Sequence, residues 1–240
     1  MNLDEILGPR GLLADRIAGF EFRREQLEMA EVVATGLGEG GHVLAEAGTG
    51  VGKTFAYLVP TLLHQRRQRK VVLSTHTISL QEQLIDKDVP ALRAALPEIP
   101  FRVALLKGMG NYLCLQNMDA AARLDILEGD EFQRLRLWAA ETATGDQSEL
   151  DFSPAGWGEV CATAESCRRH DCHYHERCFL YRARRDAAAA DLVVVNHALF
   201  FSDLALRSVD PQLSLLPDYS AVVFDEAHHL EEVASFGQGI

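Results

Sequence analysis

One stretch of the chain decides the fold, and it reads Ala47-Gly48-Thr49-Gly50-Val51-Gly52-Lys53-Thr54. The short apolar run His42–Ala47 predicts a strand that leads into this stretch, and a helix is predicted from about Gly52. Glycines let the backbone bend tightly, so that its N–H groups point inward at phosphate, helped by the helix N-terminus. In this pattern Lys53 reaches the β- and γ-phosphates, and the Thr54 hydroxyl holds Mg²⁺. The stretch therefore predicts a phosphate loop for a nucleotide such as ATP; a purely structural glycine turn is the alternative.

Several apolar runs around this loop predict an α/β fold. Strands are expected at Val71–Ser74, Arg102–Leu106, Leu192–Val195 and Ala221–Phe224. The last two are short, β-branched and fully apolar, which is typical of strands buried on both faces. Helices are expected over residues 22–37 and 78–85, between the strands. Alternation of strands and helices predicts a parallel sheet flanked by helices.

Two acidic residues follow directly after the last predicted strand, Ala221–Phe224. In open parallel sheets ligands bind at the carboxyl ends of the strands, the same edge as the phosphate loop. We expect Asp225 to hold Mg²⁺ through water, and Glu226 to orient and deprotonate the attacking water. An acidic helix N-terminus would produce the same pair, but the phosphate loop upstream favours the catalytic interpretation. His228, with His229 beside it, is either a coupling residue or an ordinary surface histidine.

The alternation stops between residues 107 and 190, and this insertion is helical, rich in loops and contains all five cysteines. Cys167, Cys172 and Cys178 form a C-x4-C-x5-C pattern, and Cys114 lies 53 residues upstream of it. Structural zinc sites usually contain a tighter pair of cysteines. Four thiolates on looser spacings fit a [4Fe–4S] cluster, which is larger and is bound by cysteines alone.

Two questions about the insertion stay open at the level of the sequence. His170, His173 and His175 lie among the cysteines, so a mixed Cys/His zinc site is the alternative to the cluster. Cys161 is the spare cysteine: as a small buried apolar side chain it needs no chemical role, although spacing alone also allows it as the second ligand.

Charge and hydropathy limit the function classes. The chain has 240 residues and a net charge of −12, which argues against a general electrostatic DNA binder. Residues 168–185 nevertheless carry six arginines against two acids, and this local patch, with Arg182, Arg184 and Arg185, predicts a weak grip on DNA; a solvated helix face is the alternative. No run reaches the roughly 18 apolar residues of a spanning helix, and the acidic N-terminus is unlike a signal peptide. We expect a cytoplasmic protein with no membrane partner.

Taken in this order, the motifs resemble those of the iron–sulfur superfamily 2 helicases of the DinG/XPD group, and the DinG branch most closely. The resemblance covers nearly the whole chain. It implies that Gln26 contacts adenine, and that Thr75 and Gln81 belong to a segment gripping the backbone of single-stranded DNA. The matching segments are Phe22–Met29, Glu46–Thr54 (Walker A), Ser74–Leu84, Lys107–Cys114, the cluster ligands Cys114, Cys167, Cys172 and Cys178, Leu192–Leu199 and the DEAH box Asp225–His228.

The resemblance implies a RecA-like domain at residues 1–106 and 191–240, interrupted by an iron–sulfur domain at 107–190. It also implies an ATP-dependent helicase that moves 5′ to 3′ on single-stranded DNA and separates strands, in DNA repair or replication. ATP, Mg²⁺ and a [4Fe–4S] cluster would be its cofactors, single-stranded and forked DNA its partners, and a monomer its state. The family's second RecA-like domain, which supplies arginine fingers, does not appear before Ile240. We therefore expect the N-terminal part of a helicase, inactive alone as a motor.

Two functions of other classes compete with this one. A nucleic-acid-binding module with a structural zinc site and a non-motor ATPase domain is disfavoured, because Lys53, Thr54 and the two acids are intact. A metabolic phosphoryl-transfer enzyme with a structural zinc site is disfavoured by the segment Thr75–Leu84 and by the DEAH box.

Overall fold

Four parallel strands form a sheet in the order β2-β3-β1-β4. The computed structural model describes residues 1–48, 50–65, 70–123, 130–210 and 212–237. The strands are β1 Val71–Thr75, β2 Val103–Leu105, β3 Leu192–Asn196 and β4 Ala221–Phe224. Val71 of β1 pairs with Leu192 on one side and with Ala221 on the other, so β1 lies inside the sheet. A parallel sheet flanked by helices confirms the predicted α/β fold class.

One predicted strand is wrong. His42–Ala47 adopts no regular secondary structure, and Leu44 within it is 94% exposed. A strand forms only where a neighbour satisfies its backbone hydrogen bonds. Among the described residues, β4 pairs with β1 alone, and no strand pairs with residues 42–47. The apolar composition of this run therefore gave the wrong secondary structure, because composition does not supply a pairing partner.

The helices of the described residues cover the sheet and build the insertion. In chain order they are α1 Leu3–Leu7, α2 Leu12–Arg16, α3 Arg24–Glu39, α4 Lys53–Gln65, α5 Ile78–Gln83, α6 Val89–Ala95, α7 Leu115–Arg123, α8 Asp130–Glu141, α9 Trp157–Val160, α10 Phe179–Ala189, α11 His197–Val209 and α12 Leu230–Gly237. A π-helical turn, Leu84–Asp88, joins α5 to α6.

The chain divides into two compact units, residues 1–105 with 189–240, and residues 106–188. The sequence placed the ends of the insertion at residues 107 and 190. The functional identities given to these ranges stay predictions. Among the described residues, no helix is both long and apolar enough to cross a membrane.

The first unit has its core between the sheet and the N-terminal helices. Helices α3 and α4 pack against each other. Leu58 and Leu62 of α4 are buried with Leu73 of β1 and Leu192 of β3. Fully burying a leucine side chain contributes about 1.5–3 kcal/mol relative to exposure. This packing fixes the start of α4, and with it Lys53, against the carboxyl edge of the sheet.

The second unit has a core of its own, in which Leu113, Leu135 and Val160 are buried around Trp157. The indole N–H of Trp157 donates to the Gly110 carbonyl at 2.7 Å. The first residues of this unit are also fixed by charge: the Lys107 side chain is 1% exposed and lies 2.7 Å from Asp146. Removing one partner of such a buried pair would leave an uncompensated charge.

Candidate active site

The phosphate loop joins irregular chain to α4 through two glycines in the left-handed region. Gly50 has φ of +84° and Gly52 has φ of +85°, conformations that other residues rarely adopt. Ala47 and Gly48 lie in the irregular chain before this turn, and Val51 lies within it. Lys53 and Thr54 are the first two residues of α4, so their side chains start at a helix N-terminus. Thr49 lies outside the described residues.

Gln26 contacts this loop from the neighbouring helix α3. Its side-chain amide donates a hydrogen bond to the Gly52 carbonyl at 2.8 Å, and only 3% of the residue is exposed. A Cβ atom on Gly52 would lie 2.1 Å from the amide nitrogen of Gln26, so the contact needs glycine. The amide oxygen of Gln26 is buried and has no hydrogen-bond partner in the described part of the chain. A buried acceptor without a partner is available to a donor group of a ligand.

The two predicted carboxylates lie where β4 ends, and the predicted lysine joins them. The Asp225 backbone N–H donates to the Ser74 carbonyl at 2.9 Å, which fixes the strand end beside β1. The ammonium nitrogen of Lys53 lies 3.8 Å from a carboxylate oxygen of Glu226. Glu226 has φ of +54°, which is uncommon for a residue other than glycine and stores backbone strain. Three of the predicted site residues therefore meet at the carboxyl edge of the sheet.

Tyr57, which the sequence did not single out, contacts Asp225 from α4. Its hydroxyl donates to an Asp225 carboxylate oxygen at 3.2 Å. Burial raises the pKa of Tyr57 well above its usual value, the Asp225 charge raises it further, and a hydrogen bond with Thr54 opposes both. Tyr57 is thus a neutral donor between the two predicted Mg²⁺ ligands. A hydroxyl side chain three residues after Thr54, on the same face of α4, was the signal that could have found it.

Burial also raises the pKa of Asp225. The hydrogen bond from Tyr57 lowers it, the Glu226 charge raises it, and the Glu226 backbone N–H and the Lys53 ammonium lower it. A divalent cation would favour the ionised carboxylate, since metal ions are the largest charges in such sites. The arrangement therefore suits a carboxylate that a bound cation would keep ionised.

Two histidines lie close to the Asp225–Glu226 pair. His228 is exposed, and its Nδ1 lies 3.4 Å from Glu226. His197, which the sequence did not single out, is fully buried, with its Nδ1 2.7 Å from the Ser74 hydroxyl oxygen. Burial and the nearby His76 lower the pKa of His197 to about 4, while hydrogen bonding to the backbone of Asp225 and Glu226 raises it. His197 is therefore neutral at physiological pH.

The structure does not expose every side chain that was predicted to contact DNA. Thr75 and Gln81 are both 0% exposed, which argues against direct contacts from their side chains in this arrangement. Thr77 and Ser79 of the same segment are exposed. The Thr77 hydroxyl caps α5 by accepting the Leu80 N–H at 3.3 Å. The Thr75–Leu84 segment thus contains buried residues that pack against the rest of the unit as well as exposed residues that a strand could contact.

The predicted arginines lie on α10 of the second unit. Arg182 donates to the Ala143 carbonyl at 2.6 Å, and the Arg184 guanidinium lies 5.4 Å from the centre of the Tyr181 ring. Arg185 is exposed. Its guanidinium donates to the Glu176 carbonyl at 3.4 Å. The DNA role of all three arginines stays a prediction.

The four predicted cluster ligands lie in the second unit, and two of them precede helices. The Cys114 carbonyl accepts the Met118 N–H of α7, and the Cys178 carbonyl accepts the Arg182 N–H of α10. Helix N-termini stabilise thiolates. Burial raises the pKa of Cys114, the Asn117 and Gln116 N–H groups lower it, and the neighbouring Cys178 and Cys172 raise it. Cys114, Cys172 and Cys178 therefore lie within electrostatic range of one another.

Cys167 and Cys161 differ in their surroundings. Cys167 lies near the Tyr181 ring. Burial raises the pKa of Tyr181, and the charges of Cys167 and Cys178 raise it further. Cys161 is buried, and its thiol lies 3.6 Å from the Gly158 carbonyl oxygen. Among the described residues, which include all five cysteines, no group of three or more potential ligands is arranged to hold a metal ion. The donors suit soft metals, but the cluster stays a proposal.

Comparison with known proteins gives matches over the whole chain. The sequence profile of the DEAD/DEAH box helicase family matches residues 24–109. The ATP-dependent DNA helicase YoaA of Haemophilus influenzae is 41% identical over 250 residues, covering 100% of this chain and 38% of that protein. The ATP-dependent helicase DinG of Mycobacterium tuberculosis is 38% identical, covering 97% of this chain and 37% of that protein. The 3′-5′ exonuclease DinG of Bacillus subtilis is 33% identical, covering 95% of this chain and 24% of that protein. The chain thus spans little more than a third of the first two relatives, and the likenesses confirm the resemblance predicted from the motifs.

Proposed function

Since residues 24–109 of the chain carry a DEAD/DEAH box helicase domain, we propose that it is the N-terminal, ATP-binding part of a DNA helicase. The observation that carries this proposal is the meeting of Lys53 with Glu226 and Asp225 beside the glycine turn. Movement 5′ to 3′ on single-stranded DNA, strand separation at forks and a role in repair or replication are supported by the resemblance to the DinG branch. YoaA and DinG relatives bear helicase names, which supports the same proposal.

Binding of the nucleotide would use groups from three elements. The backbone N–H groups of the loop and of the first turn of α4 would bind the phosphates, favoured by the helix dipole. Gln26, whose amide oxygen is buried without a partner among the described residues, would accept a hydrogen bond from the adenine amino group. The amide NH2 of the same side chain donates to the Gly52 carbonyl, so Gln26 links recognition of the base to the phosphate loop.

Hydrolysis would depend on a change of partner at Lys53. In the structure its ammonium pairs with Glu226 at 3.8 Å, and both side chains are about one-third exposed. Ion pairs with this exposure contribute about 0–1 kcal/mol, so a phosphate can displace the carboxylate. Glu226 would then be free to accept a proton from the attacking water. Thr54 and Asp225 would hold Mg²⁺, which neutralises phosphate charge when bound.

Full activity is proposed to need a second RecA-like domain in a longer protein. An arginine finger from such a domain stabilises the charge of the transition state and accounts for about 10³–10⁵ in rate in related phosphoryl-transfer systems. The 240-residue chain would bind nucleotide and hydrolyse it slowly. DNA would bind weakly, through exposed residues of the Thr75–Leu84 segment and through the arginines of α10.

The iron–sulfur part of the proposal concerns Cys114, Cys167, Cys172 and Cys178, here called the four cysteine ligands. They would hold a [4Fe–4S] cluster, with Cys161 left out. The proximity of Cys114, Cys172 and Cys178 supports this choice, as does the separate burial of Cys161. A zinc ion on the same region is the alternative.

Titration of the chain with a fluorescent ATP analogue and Mg²⁺ tests the nucleotide proposal. Lys53→Ala should weaken binding at least tenfold, because loss of a charge-assisted hydrogen bond costs about 1.5–3 kcal/mol. Lys87→Ala, which removes an exposed lysine of the same unit, is the matched control and should bind as the wild type does. Equal affinity in the wild type and Lys53→Ala would refute the assignment of the phosphate loop.

A further inference from the structure

Two histidines from distant parts of the sequence stack on each other beside the candidate active site. The rings of His76 and His229 have centroids 3.8 Å apart and planes 14° from parallel. His76 is the first residue after β1, at the start of the connection to α5. His229 ends the short 3₁₀ turn that follows the DEAH acids. Neither residue belongs to the phosphate loop or to the carboxylate pair.

His229 is connected directly to the proposed base. Its backbone N–H donates to the Glu226 carbonyl at 3.1 Å. Glu226 is the residue with a left-handed backbone, φ of +54°, so this hydrogen bond helps to keep an uncommon conformation. The direction of the Glu226 carboxylate, towards Lys53 on one side and His228 on the other, depends on that backbone. Displacement of the His229 ring would therefore be transmitted to Glu226 through one peptide hydrogen bond.

His76 is connected to the segment proposed to contact DNA. Thr77 and Ser79, two exposed residues of that segment, lie one and three positions after it. The Thr77 carbonyl accepts the Thr75 hydroxyl at 3.2 Å, which ties the connection to the end of β1. The Nδ1 atom of His76 is buried with no hydrogen-bond partner in the described part of the chain. A buried polar atom without a partner is a site of stored strain, so the stacked position is one that a bound ligand can shift.

A third histidine, His197, lies beside His76 and is bonded to the end of β1. His197 lies 6.0 Å from His76, centroid to centroid, and 5.9 Å from Phe224 of β4. Its Nδ1 is 2.7 Å from the Ser74 hydroxyl, and Ser74 also accepts the Asp225 backbone N–H at its carbonyl. Because His197 is fully buried, it holds β1 and β4 in one arrangement. We therefore expect the His76–His229 stack, and not His197, to shift when a ligand binds.

We infer that His76 and His229 are positioning residues that couple the Thr75–Leu84 segment to the DEAH acids, so that a single strand bound at Thr77 and Ser79 changes the orientation of Glu226. The inference rests on the proposed function and goes beyond it, since it names the contact through which strand binding and nucleotide binding affect each other. Coupling free energies are reciprocal: a strand that alters nucleotide affinity must have its own affinity altered by the same factor.

The test measures that factor in the 240-residue chain. The dissociation constant of a fluorescent ADP analogue with Mg²⁺ is determined with and without saturating oligothymidylate, and the reverse titration is made with labelled oligothymidylate. We expect a coupling factor of about 5-fold or more in the wild type. His76→Ala and His229→Ala should each bring the factor to about 1. His229→Ala should leave the affinity for each ligand alone within about threefold of the wild-type value, whereas His76→Ala, which lies inside the Thr75–Leu84 segment, should do so for the nucleotide.

Two variants separate stacking from folding. His76→Phe keeps an aromatic ring and should keep most of the coupling, since offset stacking does not need the imidazole nitrogens. His42→Ala removes an exposed histidine of the same unit and should leave the factor unchanged. His76 and His229 are both half-buried, and because they lie in different segments of the chain, His229→Ala provides a second readout if His76→Ala lowers the melting temperature.

The outcomes distinguish the two claims. If both ligands bind but the factor is 1 in the wild type, or stays at the wild-type value in both alanine variants, the coupling inference is wrong and the proposed function stands. If the wild type binds neither the nucleotide analogue nor oligothymidylate, the proposed function is wrong and the inference falls with it. Loss of coupling in both alanine variants with retention in His76→Phe supports the inference.

Discussion

A series of glycine-to-alanine changes gives a graded test of the phosphate loop. Gly38, in α3, has ordinary backbone angles and nothing within 4 Å of the position that a Cβ atom would take, so Gly38→Ala should stabilise the chain by about 0.5–1 kcal/mol. Gly50 also has free space but a φ of +84°, so Gly50→Ala should cost about 1–2 kcal/mol for the left-handed backbone alone.

Gly52→Ala should cost the most. Its φ of +85° carries the same penalty as that of Gly50, and the new methyl group would lie 2.1 Å from the Gln26 amide nitrogen. Displacing Gln26 adds about 1–3 kcal/mol of overpacking and about 0.5–1.5 kcal/mol for the lost hydrogen bond to the Gly52 carbonyl. The expected destabilisation is therefore roughly 2.5–6.5 kcal/mol, and nucleotide binding should be lost with it.

Urea unfolding followed by far-ultraviolet circular dichroism measures the three free energies, and hydrogen exchange of the loop detects local opening. The double variant Gly52→Ala with Gln26→Ala should recover the part of the loss that comes from the collision, and this cycle isolates the contact. Gly52→Ala with a destabilisation no larger than that of Gly50→Ala would refute the reasoning, because the Gln26 contact would then carry no energy.

Three further outcomes are expected. The pKa of Asp225 is higher in the folded chain than its ordinary value of 3.8, so ionisation of Asp225 disfavours folding as the pH rises. Without Mg²⁺, Asp225→Asn should therefore raise the melting temperature at pH 7 and lose this advantage in acid. A variant that is less stable than the wild type at pH 7 would contradict this. Anaerobically purified protein should be yellow-brown; serine at each of the four cysteine ligands should bleach it and Cys161→Ser should not, while colourless protein with one bound zinc would exclude the cluster. The 240-residue chain alone should separate no strands and show almost no DNA-stimulated ATP hydrolysis, a result that robust unwinding, absent in Glu226→Gln, would overturn.

The sequence predicted those parts of the fold that depend on local pattern. Apolar β-branched runs predicted β3 and β4 as strands. The burial expected on both faces holds for the first four residues of β3, whereas every residue of β4 is only partly buried. The same rule failed at His42–Ala47, where composition was suitable but no neighbouring strand accepts the hydrogen bonds among the described residues. The burial of Gln81 and Thr75 could not be predicted either. Gln81 lies on the inward face of α5, and Thr75 is the last residue of β1, which lies inside the sheet.

The residues that the sequence missed share one cause, the order of the strands. A parallel sheet was predictable, but the position of β1 between β3 and β4 was not. In that order Ser74 pairs with Val195 on one side and with Phe224 on the other. His197 follows the last residue of β3 and Asp225 follows the last residue of β4, so both lie near Ser74, and both bond to it. With β4 and β1 adjacent, the first residue after β1, His76, comes within stacking distance of the turn that follows the DEAH acids. The stack is thus a consequence of strand order.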